Sequence, residues 1–375
     1  PRSTPIKSSA TSDVYKRQLL VGCTAASATG NYTITAEIPT DDFEGLTAYL
    51  VNFDTGEKID STMIDNGKAV FKGSIATPAL ARIIVDGNRM GSLVVENAEI
   101  STQHTPQGTV VSGSPLNDLN TSIQKRIRGF EQQFRALPND STAEAAAQAI
   151  LNAYDAYTDS VFKANTDNPV GYSLFLDKAY RMNLAELKTA LEKYPVLKGY
   201  QRVNKLITAA VNKEATSPGK KFVDFTITND SISQSLSDYV GKGKPVLVDF
   251  WASWCGPCIR ETAVIKDLLK EYGPQGLEVL GVAVWDEPDN TSRAIAQHQL
   301  PWSQIINAQT VPTDLYGISG IPTILIIGPD GTILSRDKQD EELRADVKAV
   351  MEGTLSAATF TAKTTEGADS VAPAK

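Results

Sequence analysis

Val246-Leu247-Val248-Asp249-Phe250-Trp251-Ala252-Ser253-Trp254-Cys255-Gly256-Pro257-Cys258 is the stretch that decides the fold. Val246–Trp251 is a continuous apolar run broken only by Asp249, the pattern of a central strand buried on both faces. Helical spacing follows from Cys258 to Tyr272, so the two cysteines stand where a strand hands over to a helix. Unpaired backbone N–H groups and the macrodipole at a helix start favour a thiolate. Two intervening residues permit a tight disulfide, with the first sulfur at the exposed helix tip and the second facing inward. Cys255 therefore reads as the nucleophile and Cys258 as the thiol that resolves a mixed disulfide. A Cys-x-x-Cys pair also serves as a structural disulfide or as half of a metal site. A zinc ribbon needs a second Cys or His pair, and the two histidines, His104 and His298, lie far from the cysteines and from each other.

Outward from this stretch the chain alternates strand and helix, as an α/β domain requires. Leu277–Val284 reads as a strand, Asp289–Gln299 as a helix and Ile324–Ile327 as a strand. The turn Pro329-Asp330-Gly331 leads to a strand over Thr332–Ser335, and Asp340–Met351 closes the domain as a helix. Ser217-Pro218-Gly219-Lys220-Lys221 marks its start, giving an α/β domain over 216–353. Residues 354–375 are rich in Thr, Ala and Ser and read as a disordered tail.

Upstream, residues 115–215 carry helical spacing: Leu119, Ile123, Ile127, Phe130, Phe134 and Leu137 recur every three or four residues up to Pro138. Asn139-Asp140-Ser141 offers a cap for the segment Thr142–Ala164, and Asn183 precedes a run over Leu184–Lys193. Three to five helices are expected, with Tyr154, Tyr157, Tyr172 and Tyr180 either packed between them or forming a binding surface. Residues 24–114 show short alternating runs, such as Tyr32, Ile34, Ala36 and Ile38, separated by turn signals at Asp54-Thr55-Gly56, Asp65-Asn66-Gly67 and Asp86-Gly87-Asn88. They predict a small antiparallel β domain.

The cysteine stretch looks like thioredoxin almost residue for residue. Over roughly residues 222–350 the chain resembles the TlpA-like branch of extracytoplasmic thioredoxins, within the AhpC/TSA-redoxin superfamily. The resemblance is carried by Gly219-x-x-Phe222-x-Asp224-Phe225, the extra strand and helix across 277–307, and Gly320-Ile321-Pro322-Thr323. It implies a thioredoxin-like fold in which the Ile321-Pro322 bond is cis and stands opposite the cysteines, exposing the Ile321 backbone to an extended substrate beside Trp254, Gly256 and Pro257. It also implies that Asp249 takes the proton of Cys258, since burial lifts an isolated acid towards the working range. Glu261 matches a glutamate near the disulfide in some of these reductases; a plain structural reading is compensation of the helix dipole. Asp249 likewise has a plain reading, as a satisfied polar group of the core. Two departures stand out: Ala263 replaces the usual helix proline, and the strand over 277–284 lacks the lysine that thioredoxin sets beside its buried aspartate.

Gly-Pro between the cysteines is thioredoxin's own dipeptide and points to the reducing end of the scale, near about −270 mV. The expected activity is reduction of protein disulfides without a cofactor beyond the Cys255–Cys258 pair. The family analogy adds a membrane electron donor and clients such as apocytochrome c thiols or misoxidised proteins. A thiol peroxidase needs a Thr three positions before its peroxidatic Cys, and position 252 is Ala. Residues 24–215 as a docking module beside a redox sensor is the non-enzymatic alternative.

The N-terminus bears on location. Asp13-Val14-Tyr15-Lys16-Arg17-Gln18 resembles the translated end of a transposon-derived sequencing adapter, and residues 1–18 are set aside. Leu19-Leu20-Val21-Gly22-Cys23 looks like the end of a bacterial lipoprotein signal, with Cys23 the lipid attachment site; a frayed terminus with a free thiol is the plain reading. Acylation would anchor the protein to a membrane on the periplasmic side of a Gram-negative envelope. Residues 31–119 resemble an uncharacterised β module found ahead of thioredoxin-like domains in such lipoproteins. The 375-residue chain is 41% hydrophobic and 21% charged and holds 36 basic against 44 acidic residues, a formal charge of −8. No basic cluster suits a phosphate backbone and no apolar run reaches the length of a membrane span, so neither nucleic acid nor a spanning helix is expected.

Overall fold

Alternation of period two sends Ile34, Ala36, Leu50, Phe71, Ile83 and Leu93 to one side of their strands, and these residues form one shared core. The computed structural model describes residues 30–360 apart from residues 39–40, 107, 139, 141–142 and 230–231. The chain divides into two compact units between Asn204 and Lys205.

The first unit holds β1 (Tyr32–Glu37), β2 (Thr47–Asn52), β3 (Lys58–Asp65), β4 (Lys68–Gly73), β5 (Ala79–Val85), β6 (Asn88–Val95), β7 (Glu99–Thr105) and β8 (Gly108–Ser112). They pair in the order β6-β5-β2-β3-β4-β1-β7-β8. All neighbours are antiparallel except β1 and β7, which run parallel, a departure from the purely antiparallel sheet expected. The turn signals act as read: Asn66 and Gly67 take φ of 50° and 68°, the doubly left-handed pair that a tight hairpin between β3 and β4 demands.

Helices α1 (Pro115–Arg135), α2 (Ala143–Ala164), α3 (Pro169–Ala179), α4 (Leu184–Lys193) and α5 (Gln201–Ala215) follow. Asn183 caps α4 in a reciprocal box with Glu186; of the cap foreseen for α2 at Asn139-Asp140-Ser141, residues 139 and 141 lie outside the described residues. Within the first unit, α1 is tied to the sheet. Buried Asn117 at the start of α1 accepts from the Val94 amide at 2.9 Å and donates to its carbonyl at 2.7 Å, so the helix satisfies backbone groups of β6. Asp54 accepts the Tyr172 hydroxyl of α3 at 2.6 Å and the Arg202 amide at 2.9 Å. Tyr154 and Tyr157 pack on Phe130, and Tyr172 stacks on Tyr200 with centroids 3.7 Å apart. Tyr180 is exposed.

The second unit holds the hairpin β9 (Thr226–Asn229) and β10 (Ile232–Ser235), then β11 (Val246–Trp251), α6 (Gly256–Tyr272), β12 (Glu278–Ala283), α7 (Pro288–Gln297), β13 (Ser303–Ile305), α8 (Val311–Tyr316), β14 (Thr323–Ile327), β15 (Ile333–Arg336) and α9 (Asp340–Met351). Its main sheet has the order β13-β12-β11-β14-β15. β11 runs parallel to β12 and antiparallel to β14, an α/β thioredoxin-like arrangement. Val248 and Phe250 face one core with Phe225, Leu236 and Tyr316. Leu247 and Trp251 face a second core with Ile265 and Leu268 of α6 and Leu343 and Val347 of α9. With Ala at 263, α6 runs unbroken. Among the described residues no helix is long and apolar enough to cross a membrane.

The tail is not wholly disordered. Gly353 takes a left-handed φ of 75°, which reverses the chain so that the amides of Thr354 and Leu355 both reach the Ala349 carbonyl, at 2.9 and 3.0 Å. Phe360 lies against Gly219. Residues 361–375 fall outside the described residues.

Arg336 ties the lead-in segment to the sheet. Its buried guanidinium donates to the Thr216 carbonyl at 3.1 Å and the Tyr316 carbonyl at 2.8 Å. Arg336→Ala would take a donor from the buried Thr216 carbonyl and leave the Tyr316 carbonyl only the longer bond from the Thr216 hydroxyl at 3.3 Å, and it is expected to cost about 3 kcal/mol, read as an earlier urea midpoint.

Candidate active site

β11 is buried at all six positions, so the chain leaves the sheet only at its end, through Ala252-Ser253-Trp254. Cys255 then occupies the N-cap of α6 with extended backbone, and Pro257 stands in the first turn. An N-cap side chain ordinarily offers an oxygen to a free amide of the first turn. Here the Cys255 sulfur takes that place, accepting the Cys258 N–H at 3.2 Å. The same amide and the helix dipole stabilise negative charge on that sulfur once the disulfide opens.

Cys255 and Cys258 form a disulfide with Cα atoms 5.3 Å apart. Cys258 is fully enclosed, as expected for the inner thiol. Cys255 is not the exposed tip the sequence suggests: it is 4% exposed. Its sulfur is turned towards Cys258 and lies 3.8 Å from the Ile321 carbonyl, which covers it from the facing loop. The Ile321–Pro322 bond is cis. The structure thus brings Cys255, Cys258, Ile321 and Pro322 together, with Gly256 and Pro257 in the first turn and Trp254 on the rim, 61% exposed.

Asp249 lies on the α6 side of β11 with its carboxyl buried and Oδ1 lacking any hydrogen-bond partner. Burial, with a smaller push from the Glu261 charge, lifts its pKa to about 8. Glu261 is also buried, which raises its carboxyl, while the Asp340 amide, donating to Oε1 at 3.0 Å, holds it back. Glu261 therefore anchors the start of α9 as well as adding negative charge near Asp249. It is more than a partner of its own helix dipole.

Residues 218–336 match the model of the AhpC/TSA family, and residues 32–120 match that of a domain of unknown function, DUF4369. The thiol-disulfide oxidoreductase ResA of Geobacillus thermodenitrificans is 31% identical over 122 residues, covering 32% of this chain and 69% of that protein. The chain belongs to this thiol-disulfide oxidoreductase family. ResA of Bacillus subtilis is 27% identical over 123 residues, covering 32% of this chain and 68% of its own length. Among solved structures, a thiol-disulfide oxidoreductase from Bacteroides fragilis is 30% identical with a TM-score of 0.31, covering 34% of this chain and 98% of that one. The thioredoxin domain of a thiol-disulfide oxidoreductase from Bacteroides vulgatus is 26% identical with a TM-score of 0.32, covering 37% of this chain and 99% of that one.

In this oxidoreductase one site residue escapes sequence reasoning. Asp286, buried after β12, accepts from the Ser253 amide at 2.7 Å, the Ser253 hydroxyl at 2.9 Å, the Glu287 amide at 3.0 Å and the Thr291 hydroxyl at 2.8 Å. It clamps the loop before Cys255 to the start of α7. Beside it, the Trp285 carbonyl accepts the Trp254 indole N–H at 2.9 Å, and Trp285 has a left-handed φ of 53°. A bulky residue in that region costs about 1–3 kcal/mol and persists only where its surroundings impose it. The sequence signal was an acid directly after an apolar strand. Cys23 lies outside the described residues.

Two outcomes follow from these carboxyls. Because the folded protein holds the Asp249 proton up to about pH 8 while the unfolded chain loses it near its ordinary pKa of 3.8, wild-type stability falls as pH rises between these values. Asp249→Asn is therefore expected to stabilise the protein, little at pH 4 and by several kcal/mol at pH 8, measured by denaturant titration across pH. Asp286→Ala is expected to slow disulfide exchange at Cys255 by about tenfold or more without abolishing it, since it frees the loop and spares the thiols.

Proposed function

We propose that this protein reduces protein disulfides outside the cytoplasm while anchored to a membrane by lipid on Cys23. The observation that carries the reading is the Cys255 sulfur at the N-cap of α6, with Cys258 enclosed beneath it and the Ile321-Pro322 segment against it. Chemically, the Cys255 thiolate attacks a client disulfide, forming a mixed disulfide and releasing one client thiolate. Cys258 then gives its proton to Asp249 and attacks the Cys255 sulfur, which forms the internal disulfide and releases the second client thiolate. Two electrons pass from the protein's dithiol to the client disulfide, and no further cofactor enters. An extended client segment would pair with the Ile321 backbone and rest against Trp254.

The Gly256-Pro257 dipeptide supports the reducing direction, and relatives named as thiol-disulfide oxidoreductases support the chemistry. Location and anchoring rest on the signal-like Leu19-Leu20-Val21-Gly22-Cys23 run. In an oxidising compartment the internal disulfide must be re-reduced, so a membrane-held dithiol donor completes the cycle, and the oxidised cysteine pair of apocytochrome c is the class of client we favour.

Equilibration with glutathione is expected to give a potential within about 50 mV of −270 mV; a value near that of strong oxidants such as about −120 mV would reverse the direction. Cys258→Ser is expected to accumulate mixed disulfides through Cys255 in envelope extracts, and Cys255→Ser to capture none.

A further inference from the structure

Asp249, Gly281 and Gln304 stand side by side across three neighbouring strands: Asp249 is in register with Gly281 on β12, and Gly281 with Gln304 on β13. The Gln304 side chain lies back over Gly281, so that a Cβ on Gly281 would fall 2.0 Å from Oε1 and 2.7 Å from Nε2. Only glycine leaves room for the carboxamide there. Trp251, two residues beyond Asp249 and on the same face of β11, donates its indole N–H to Gln304 Oε1 at 3.1 Å. That bond fixes the amide, because an indole N–H has no acceptor to offer a turned NH2 group. Nε2 is therefore held as a donor, buried and with no partner in the protein. Asp249 Oδ1 is a buried acceptor on the same face with no partner either.

A buried donor and a buried acceptor left unmet are each costly, and one strand spacing, about 4.8 Å, separates the β11 and β12 positions between them. A single water accepting from Nε2 and donating to Oδ1 meets both needs, and buried waters characteristically sit between such groups. We propose that Gln304, through one such water over Gly281, is a positioning residue that stabilises the ionised Asp249 carboxylate and so readies it to take the Cys258 proton. The strand beside Asp249 offers no cation for this task, and Gln304 supplies a neutral donor from one strand further out. The other groups facing Asp249 come from α6, where Cys258 is disulfide-bonded and Glu261 opposes ionisation; behind Glu261 stand Asp340 and Arg344 of α9. β14 contributes only apolar residues beside Asp249. Trp302 Nε1, in the same core, is also a buried donor without a partner in the protein, but Gln304 is the donor whose side chain lies over Gly281, in register with Asp249.

The inference rests on the role given to Asp249 in the reductase reading, but its test does not use turnover. The Asp249 carboxyl is titrated by carbon-13 NMR in the full-length oxidised protein with labelled aspartate, its signal assigned by its loss in Asp249→Asn. Gln304→Met, which keeps the volume and removes the donor, is expected to move the midpoint up by about one pH unit or more. Gly281→Ala, which displaces the carboxamide and leaves its chemistry intact, is expected to shift it in the same direction. In the unaltered chain the Gln304 side-chain NH2 resonances are expected to move with the Asp249 midpoint, a readout that needs no variant to fold. Midpoints that coincide with wild type, or Gln304 resonances that stay flat through the Asp249 titration, overturn the proposal. Failure of the glutathione or trapping experiments with these titrations intact would instead overturn the reductase reading.

Discussion

Burying β11 on both faces is the constraint from which the rest of the second unit follows. All six of its residues are enclosed between two cores, one under β9 and α8 and one under α6 and α9. A strand closed in this way has no edge and no solvent face to offer, so chemistry can appear only where the chain leaves it. The exit is short, and it delivers Cys255 to the first turn of α6, where free amides await an acceptor. The same enclosure makes Asp249 an acid that keeps its proton far above its ordinary range. One packing arrangement thus produces a sulfur at Cys255 that gives up its proton readily and, six residues earlier on the strand, a carboxyl that gives it up reluctantly. The first property suits the attacking sulfur at Cys255, and the second is what an acceptor for the Cys258 proton would need.

Much of this was legible in sequence because it is written locally. An unbroken apolar run, a Cys-Gly-Pro-Cys turn and helical spacing after it fixed β11 and α6, and the bounds of β11 and α9 fall where the pattern put them. Hairpins with Asn66-Gly67 and Asp86-Gly87 were legible for the same reason, since their backbone angles select their residues. What was not legible depends on residues distant in the chain. Asp286 reaches back 33 positions to Ser253, and Gln304 reaches back 53 to Trp251. Neither has a spacing that announces it. The low exposure of Cys255 also arises at a distance, from the Ile321 carbonyl 66 positions on. The merging of the β sheet with α1–α4 in one unit likewise rests on side chains such as Asn117 and Asp54, whose partners lie on other elements.

The parallel pairing of β1 with β7 was hidden for a related reason. Alternation reveals which face of a strand is buried, and it is silent on the direction of the neighbour. The return of the chain after Gly353 was hidden by composition: a Thr, Ala and Ser-rich stretch reads as disordered, yet two amides bonded to the Ala349 carbonyl suffice to hold its first residues.

The clamp at Asp286 separates two properties that a small redox site might be expected to confound. Ser253, with both backbone and hydroxyl bonded to that carboxylate, is fixed to the frame, whereas the next residue, Trp254, hydrogen-bonds the frame through its indole N–H and spreads most of its surface to solvent. Position 254 can change its shape and polarity without disturbing the sulfur three atoms of backbone further on. The rim at position 254 and the Cys-Gly-Pro-Cys turn can therefore change independently of one another in descendants of this protein.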